Sequence, residues 1–181
     1  MAAIDSRSCS PLMRKVNYDR HKDFVPVANI ANSLFLLAIH PSIPVKTLHE
    51  FIEYARANPG RLNYGSSGAG TISHLSAALL SRRAGITMTH VPYKGSLPAT
   101  TDLISGQIQV LFNVSRTFLP YISAGKVVAL GVSSEQRARD FPDVPSIAEL
   151  YPGFKTDAWN GVLAPAKTPR DIVERLAMEI S

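Results

Sequence analysis

Residues 63–75, NYGSSGAGTISHL, read as a short strand that passes through a loop of Gly, Ser and Ala straight into a helix. Gly65, Gly68 and Gly70 permit backbone conformations and close approaches that side chains would block. The first turn of the following helix leaves N–H groups without intrahelical partners. A carboxylate or phosphate fits such a junction, favoured by the helix dipole. The loop is therefore expected to offer an anion a ring of unpaired backbone amides. The charge pattern agrees, because no Asp or Glu occurs between Glu53 and Asp102, while Arg56, Arg61, Arg82, Arg83 and Lys94 do.

The rest of the chain repeats this α/β rhythm. Residues 1–23 are polar and aperiodic, and order is expected to begin at DFVPV. Ser33 to Ile39 reads as a buried strand, broken by Pro41 and Pro44 before a capping box, Thr47-Leu-His-Glu50, that opens a helix. Leu48, Phe51, Ile52 and Ala55 share one face of it, and Asn58-Pro59-Gly60 ends it. Ile72, Leu75, Ala78 and Leu79 space a second helix up to Gly85, and Thr87 to Val91 reads as a strand. Pro92 to Gly95 is a turn, Ser96 is expected to cap a short helix ending at Gly106, and Ile108 to Phe112 is the next strand. A helix over 116–123, a strand over 127–132, a capping box at Ser146-Ile-Ala-Glu149 and a helix start at Thr168-Pro169 complete the pattern. Alternating strands and helices argue for βαβ units and a mostly parallel sheet flanked by helices. Ligands on such sheets bind at the carboxyl ends of the strands, which puts the loops 65–70 and 92–95 and Asn113 on one edge.

Several functional classes fall away. The 181 residues carry a net charge of +5, but the basic residues are scattered and no aromatic and Arg-rich motif interleaves them, so no nucleic-acid partner is expected. Cys9 is the single cysteine, which excludes an intrachain disulfide and a Cys-based zinc site. The longest apolar run, Leu34 to Ile39, is far short of the roughly 20 residues that cross a bilayer. Asp5 and several polar residues stand where a secretory leader would carry its apolar segment, so no export signal is expected in the chain as written.

The glycine loop is spaced G-x-x-G-x-G, lacks an acidic residue about 20 positions on and has no following Lys, so it is neither a dinucleotide fingerprint nor a P-loop. Without a ligand it would be a plain strand-to-helix turn. Ser67, in Gly65-Ser-Ser-Gly-Ala69, nearly matches the nucleophile elbow of α/β hydrolases. Their order of serine, acid and histidine cannot be met, since His90 is the last histidine and no acid lies between it and Ser67. A serine hydrolase built convergently on Ser67, and a purely structural domain, stay open as alternatives. The five histidines, at 21, 40, 49, 74 and 90, form no metal-ligand pattern, and no cofactor is called for. His74, three residues into its helix, is placed to donate to an anion in the loop, or to make only a helix-start hydrogen bond. Tyr93, Lys94, Gly95 and Ser96 gather a phenol, an ammonium and a second glycine turn at a helix start. Asn113 can offer a donor and an acceptor to a polar ligand. Trp159 reads as a core or strand-face residue.

Taken together, DFVPVANI, residues 63–75, HVPYKGSLPATTDLISGQI, ISAGKVVALGVSS, FPDVPSIAEL and GVLAPAKTP closely resemble the solute receptors of tripartite tricarboxylate transporters, often called the Bug family. The resemblance runs in unbroken order from about Asn17 to the C-terminus. It implies a periplasmic solute-binding protein of the two-domain type II fold, without catalytic activity. Such a receptor closes on a small organic acid or acidic amino acid and passes it to a membrane permease. It further implies that the loop Ser66, Ser67, Gly68, Gly70 and Thr71 presents amides and hydroxyls to a ligand carboxylate, with Tyr93 to Ser96 beside it. Position 113 often carries Asp in these receptors, where this chain has Asn113. Against the family pattern the chain is expected to be truncated at both ends. Residues 1–39 would be a lead-in and crossover from a first domain, 40–158 the ligand-binding domain, and 159–181 the return crossover and a helix of the first domain.

Overall fold

The computed structural model describes residues 2–3, 15–19 and 21–180. Much of the aperiodic lead-in lies outside the described residues. In chain order the elements are β1 (Ala2–Ala3), β2 (Phe24–Ser33), β3 (Phe35–Ile39), α1 (Leu48–Ala57) and β4 (Asn63–Ser66). There follow α2 (Ile72–Ala84), β5 (Thr89–Pro92), α3 (Ser96–Ile104), β6 (Val110–Val114) and α4 (Ser115–Ser123). The chain closes with β7 (Val128–Val132), a 3-10 turn (Ile147–Glu149), β8 (Ala158–Pro165) and α5 (Arg170–Ile180). Among the described residues, no helix is long and apolar enough to cross a membrane.

The chain divides into two compact units, Leu34–Asp157 and the combination of Met1–Ser33 with Ala158–Ser181. In the latter, β1, β8 and β2 form an antiparallel sheet in that order, with register shifts along β2 that bend the ribbon. Sequence reading placed no strand over 24–33 or 158–165, because Pro26, Asn29 and Asn32 interrupt the first and neither run alternates cleanly. Before β2, the Asp19 carboxylate accepts the amides of His21 and Lys22, at 2.8 and 3.2 Å, and ties off a turn.

The Leu34–Asp157 unit holds a five-stranded sheet of order β5-β4-β6-β3-β7. β4 runs parallel to β5 and β6, whereas β3 is antiparallel to both β6 and β7. The sheet is therefore mixed, with β3 reversed among strands that otherwise point one way. An all-apolar run such as FLLAI signals burial on both faces but carries no direction. All five residues of β3 are buried.

The sheet carries core on both faces. Adjacent residues of a strand face opposite ways, so Leu111 of β6 joins Leu36, Ala38, Leu103 and Phe118, while Phe112 stacks on Phe154 with ring centroids 6.4 Å apart. α1 has the predicted capping box, with the Thr47 hydroxyl accepting the Glu50 amide at 3.2 Å and the Glu50 carboxylate accepting the Thr47 amide at 3.3 Å. Its buried residues are Leu48, Phe51, Ile52 and Ala55, as the spacing predicts. The box at Ser146 forms as well, around the 3-10 turn.

Three local readings are corrected. In α2 the buried face is Ser73, Ser76, Ala77, Leu80 and Ala84, and Leu75 is exposed. Small residues bring this helix close to the sheet, and the Ser76 hydroxyl is satisfied by Thr156 at 2.7 Å, so polarity did not keep it outside. In α3 the N-cap is Gly95, in a left-handed region at φ 131°, and Ser96 is the first helical residue rather than the cap. Asn113 lies within β6, one residue before its end, rather than past the strand.

Candidate functional site

The carboxyl ends of β5, β4 and β6 lie side by side and carry the loops 66–71 and 92–96. Gly65 makes the close packing beneath them possible. A Cβ there would stand 2.4 Å from the Ile108 side chain, with Tyr93 next at 3.4 Å. Both α2, of 13 residues, and α3, of 9, begin on this edge, and neither has a side-chain cap. Their first-turn amides give the edge a positive potential.

The loop's polar groups form a closed set of hydrogen bonds. The Thr71 hydroxyl donates to the Gly68 carbonyl at 2.7 Å, and the Thr71 amide donates to the same oxygen at 3.3 Å. The proton between Thr71 and Ser73, 2.9 Å apart, therefore comes from Ser73. Ser73 in turn accepts the Ser67 amide and the Ser67 hydroxyl, both at 3.0 Å. On the other side the Gly68 amide donates to the fully buried Ser66 hydroxyl at 3.2 Å, and that hydroxyl pairs with His90 Nε2 at 2.7 Å. The Gly70 amide donates to His74 Nδ1 at 3.1 Å.

The expected ring of free amides is thus largely bonded within the loop, through Ser67, Gly68, Gly70 and Thr71. Hydroxyls and an imidazole next to the loop supply the acceptors that the bare glycine pattern lacks. Among the described residues, the amides of Ala69, Ile72 and Ser73 have no protein acceptor.

His74 stacks on His90 with ring centroids 4.2 Å apart at 22°, and Tyr64 stacks on His90 at 4.9 Å and 20° and on His74 at 6.2 Å and 7°. Tyr64 and His90 are register partners on neighbouring parallel strands, which fixes the pair. Burial pushes the pKa of His74 down, and burial followed by the charge of His74 does the same for His90. His74 faces the loop as expected, but its Nδ1 accepts from Gly70 rather than donating, so its neutral form carries the proton on Nε2.

In the second loop the Tyr93 amide extends the ladder to the Ser66 carbonyl at 3.0 Å. Its phenol donates to the Asp102 carboxylate at 2.7 Å, and burial followed by this carboxylate pushes its pKa up to about 12. Lys94 is exposed and makes no ion pair among the described residues. Asn113 is buried, donating to the Thr100 hydroxyl at 3.1 Å and accepting the Val114 amide at 2.8 Å. Thr100 passes the link on to the Ser96 carbonyl at 2.9 Å, so Asn113 fastens the first turn of α3 to β6.

Tyr64, Ser73, His90, Thr100 and Asp102 were not singled out from the sequence. The register of β4 with β5 brings His90 to the loop, and no local pattern reports it. Ser67 bonds only hydroxyls and has no imidazole or carboxylate partner, and Ser66, which does meet an imidazole, is fully buried. Among the described residues no group of three His, Cys, Asp or Glu is placed to hold a metal ion.

The family model for the tripartite tricarboxylate transporter family receptor matches residues 1–180. A UPF0065 protein from the tcbD-tcbE intergenic region of a Pseudomonas species is 41% identical over 169 residues, covering 92% of this chain and 50% of that protein. The solved structure of R. palustris Rpa4515 with adipate superposes with a TM-score of 0.86 at 37% identity, over 92% of this chain and 56% of that one. MatC of Rhodopseudomonas palustris with bound malate gives 0.83 at 35% identity, over 93% and 58%. The chain spans about half the length of the curated relatives it matches. On the family match and these likenesses, the chain belongs to the tripartite tricarboxylate transporter receptor family.

Proposed function

We propose that the chain is part of a periplasmic solute receptor that captures a small organic carboxylate at the carboxyl edge of β4, β5 and β6 and hands it to a membrane permease. The observation that carries this reading is the convergence of two uncapped helix starts, at Thr71 and Gly95, on one sheet edge. The nearest acid, Asp102, is occupied by the Tyr93 phenol. A carboxylate meets backbone donors there. Ser66 to Thr71 and His74 form one wall of the site, and Tyr93 to Ser96 the other, with Asn113 holding the second wall in place. Solved relatives hold adipate and malate, which supports a carboxylate as the class of ligand. The compact unit Leu34–Asp157 supports the ligand-binding domain read from the sequence as 40–158, with β3 on its side of the boundary, while Met1–Ser33 with Ala158–Ser181 make up the other unit.

The role is capture without turnover. Among the described residues Ser67 has no imidazole or carboxylate partner, which supports this reading.

The test is thermal unfolding with adipate, malate and acidic amino acids at fixed pH and salt. A ligand at a hundredfold excess over Kd should raise stability by about 2.7 kcal/mol. Saturable stabilisation by one class of acid, lost in Gly70→Pro, supports the reading. No response to any acid refutes it for this chain.

A further inference from the structure

The stacked imidazoles of His74 and His90 each tie down a different part of the glycine loop. His74 accepts the Gly70 amide through Nδ1 at 3.1 Å, which it can do only when that nitrogen carries no proton. His90 meets the Ser66 hydroxyl at 2.7 Å, and the same hydroxyl accepts the Gly68 amide. Protonating His74 would turn Nδ1 into a donor aimed at another donor. It would also set a positive charge 4.2 Å from the second ring, measured between centroids, in partly buried surroundings.

We propose that His74 and His90 form a pH-sensitive latch, in which neutral rings hold the loop in its ligand-ready shape and protonation releases the loop together with the carboxylate it holds. The second half of this statement rests on the carboxylate reading above.

The groups that face the pair offer no counter-charge to an imidazolium. β4 supplies the Tyr64 ring, a neutral face, and β6 supplies only apolar side chains and Asn113. α3 carries Asp102, whose carboxylate accepts from Tyr93, and the loop before it carries the exposed Lys94. The arginines of α2, Arg82 and Arg83, sit in its last turn. The lowered pKa values of both histidines fit such surroundings.

The test follows the Gly68 and Gly70 amide resonances and the imidazole resonances of the 181-residue chain by NMR from pH 8 to pH 5. Adipate affinity is measured by calorimetry over the same range. The latch predicts that the two glycine amides move along the imidazole titration. In His74→Asn, whose side-chain oxygen stands near the position of Nδ1 and does not titrate, the Gly70 response should vanish. Adipate should bind about tenfold more weakly for each pH unit below the titration of the pair, the factor for one proton taken up on release. The same comparison in His74→Asn cancels the ligand's own titration. Glycine amides that ignore the imidazole titration overturn the latch whatever the ligand does. Amides that respond while the pH dependence of adipate binding equals that of His74→Asn overturn the release step. Amides that respond while no carboxylate binds at any pH uphold the latch and refute the carboxylate reading instead.

Discussion

Ser73→Ala is the sharpest perturbation of the glycine loop. The Ser73 hydroxyl is buried, accepts the Ser67 amide and the Ser67 hydroxyl, and donates to Thr71. At about 1 kcal/mol net per hydrogen bond, three bonds amount to roughly 3 kcal/mol. Two corrections reduce that figure. Ser67 and Thr71 are only partly buried, so water can take over some of the lost partners, and alanine returns about 0.5 kcal/mol of helix propensity. The expected loss is about 2 kcal/mol, which shifts a urea midpoint down by about 1 M at a slope near 2 kcal/mol/M. Ser81→Ala on the same helix is the control. Its hydroxyl only bonds back to the Ala77 carbonyl at 2.8 Å, a contact that adds little to helix stability, so its removal should cost close to nothing. Carboxylate affinity should fall in Ser73→Ala and stay unchanged in Ser81→Ala. Equal midpoints for the two variants would show that Ser73 does not order the loop.

Gly65→Ala should cost about 1–3 kcal/mol in urea unfolding, because the new methyl meets Ile108 at 2.4 Å in the centre of the sheet and Ile108 must move. Asn113→Asp should cost a similar ~1–3 kcal/mol, since Thr100 already gives its proton to Ser96 and a carboxylate would leave the Thr100 oxygen facing another acceptor. The same change should weaken carboxylate binding in calorimetry through like charge, and unaltered affinity would count against the site. Stability should also fall with acid. The folded pKa values of His74 and His90 lie below the ordinary 6.5, so stability is complete above 6.5, where the rings are neutral in folded and unfolded chains alike. Below 6.5 the unfolded chain takes up protons first, and stability declines until the folded rings titrate. Urea midpoints measured from pH 8 to pH 5 should show this decline, and it should be smaller in the double variant His74→Asn, His90→Gln.

What could be read from the sequence divides by the range of the interaction. The capping boxes at Thr47 and Ser146, the terminator at Asn58 to Gly60 and the glycine loop before α2 depend on residues a few positions apart, and all of them form. The reversal of β3 and the pairing of β2 with β8 depend on partners far along the chain, such as Val110 for Ile39 and Pro165 for Phe24, and no local pattern records them. The site divides in the same way. Ser66 to Thr71 and Tyr93 to Ser96 are visible as turns at helix starts. Tyr64 beside His90, and Asn113 linked through Thr100 to Ser96, exist only because three strands lie next to one another. In α2 the local pattern misled, since an apolar count points to Leu75 while the sheet takes the small face of Ser73, Ser76 and Ala77.

The internal bonding of the loop strengthens the case for a ligand site. A loop with every amide unpaired would be mobile in the free protein, and a ligand would bear the full cost of ordering it. Here side chains outside the glycine run do the ordering. Ser73 fixes Ser67 and Thr71, Ser66 fixes Gly68, and His74 fixes Gly70. The amides of Ala69, Ile72 and Ser73 are then held in place at the helix start without a protein acceptor among the described residues. Glycine gives the backbone its path, and the hydroxyls and imidazoles remove the freedom that glycine would otherwise leave. The chemistry that preorganises the loop is also what makes it titrate, because one of those acceptors is an imidazole nitrogen. On the proposed reading, a loop that holds a solute and later releases it gains from both properties at once.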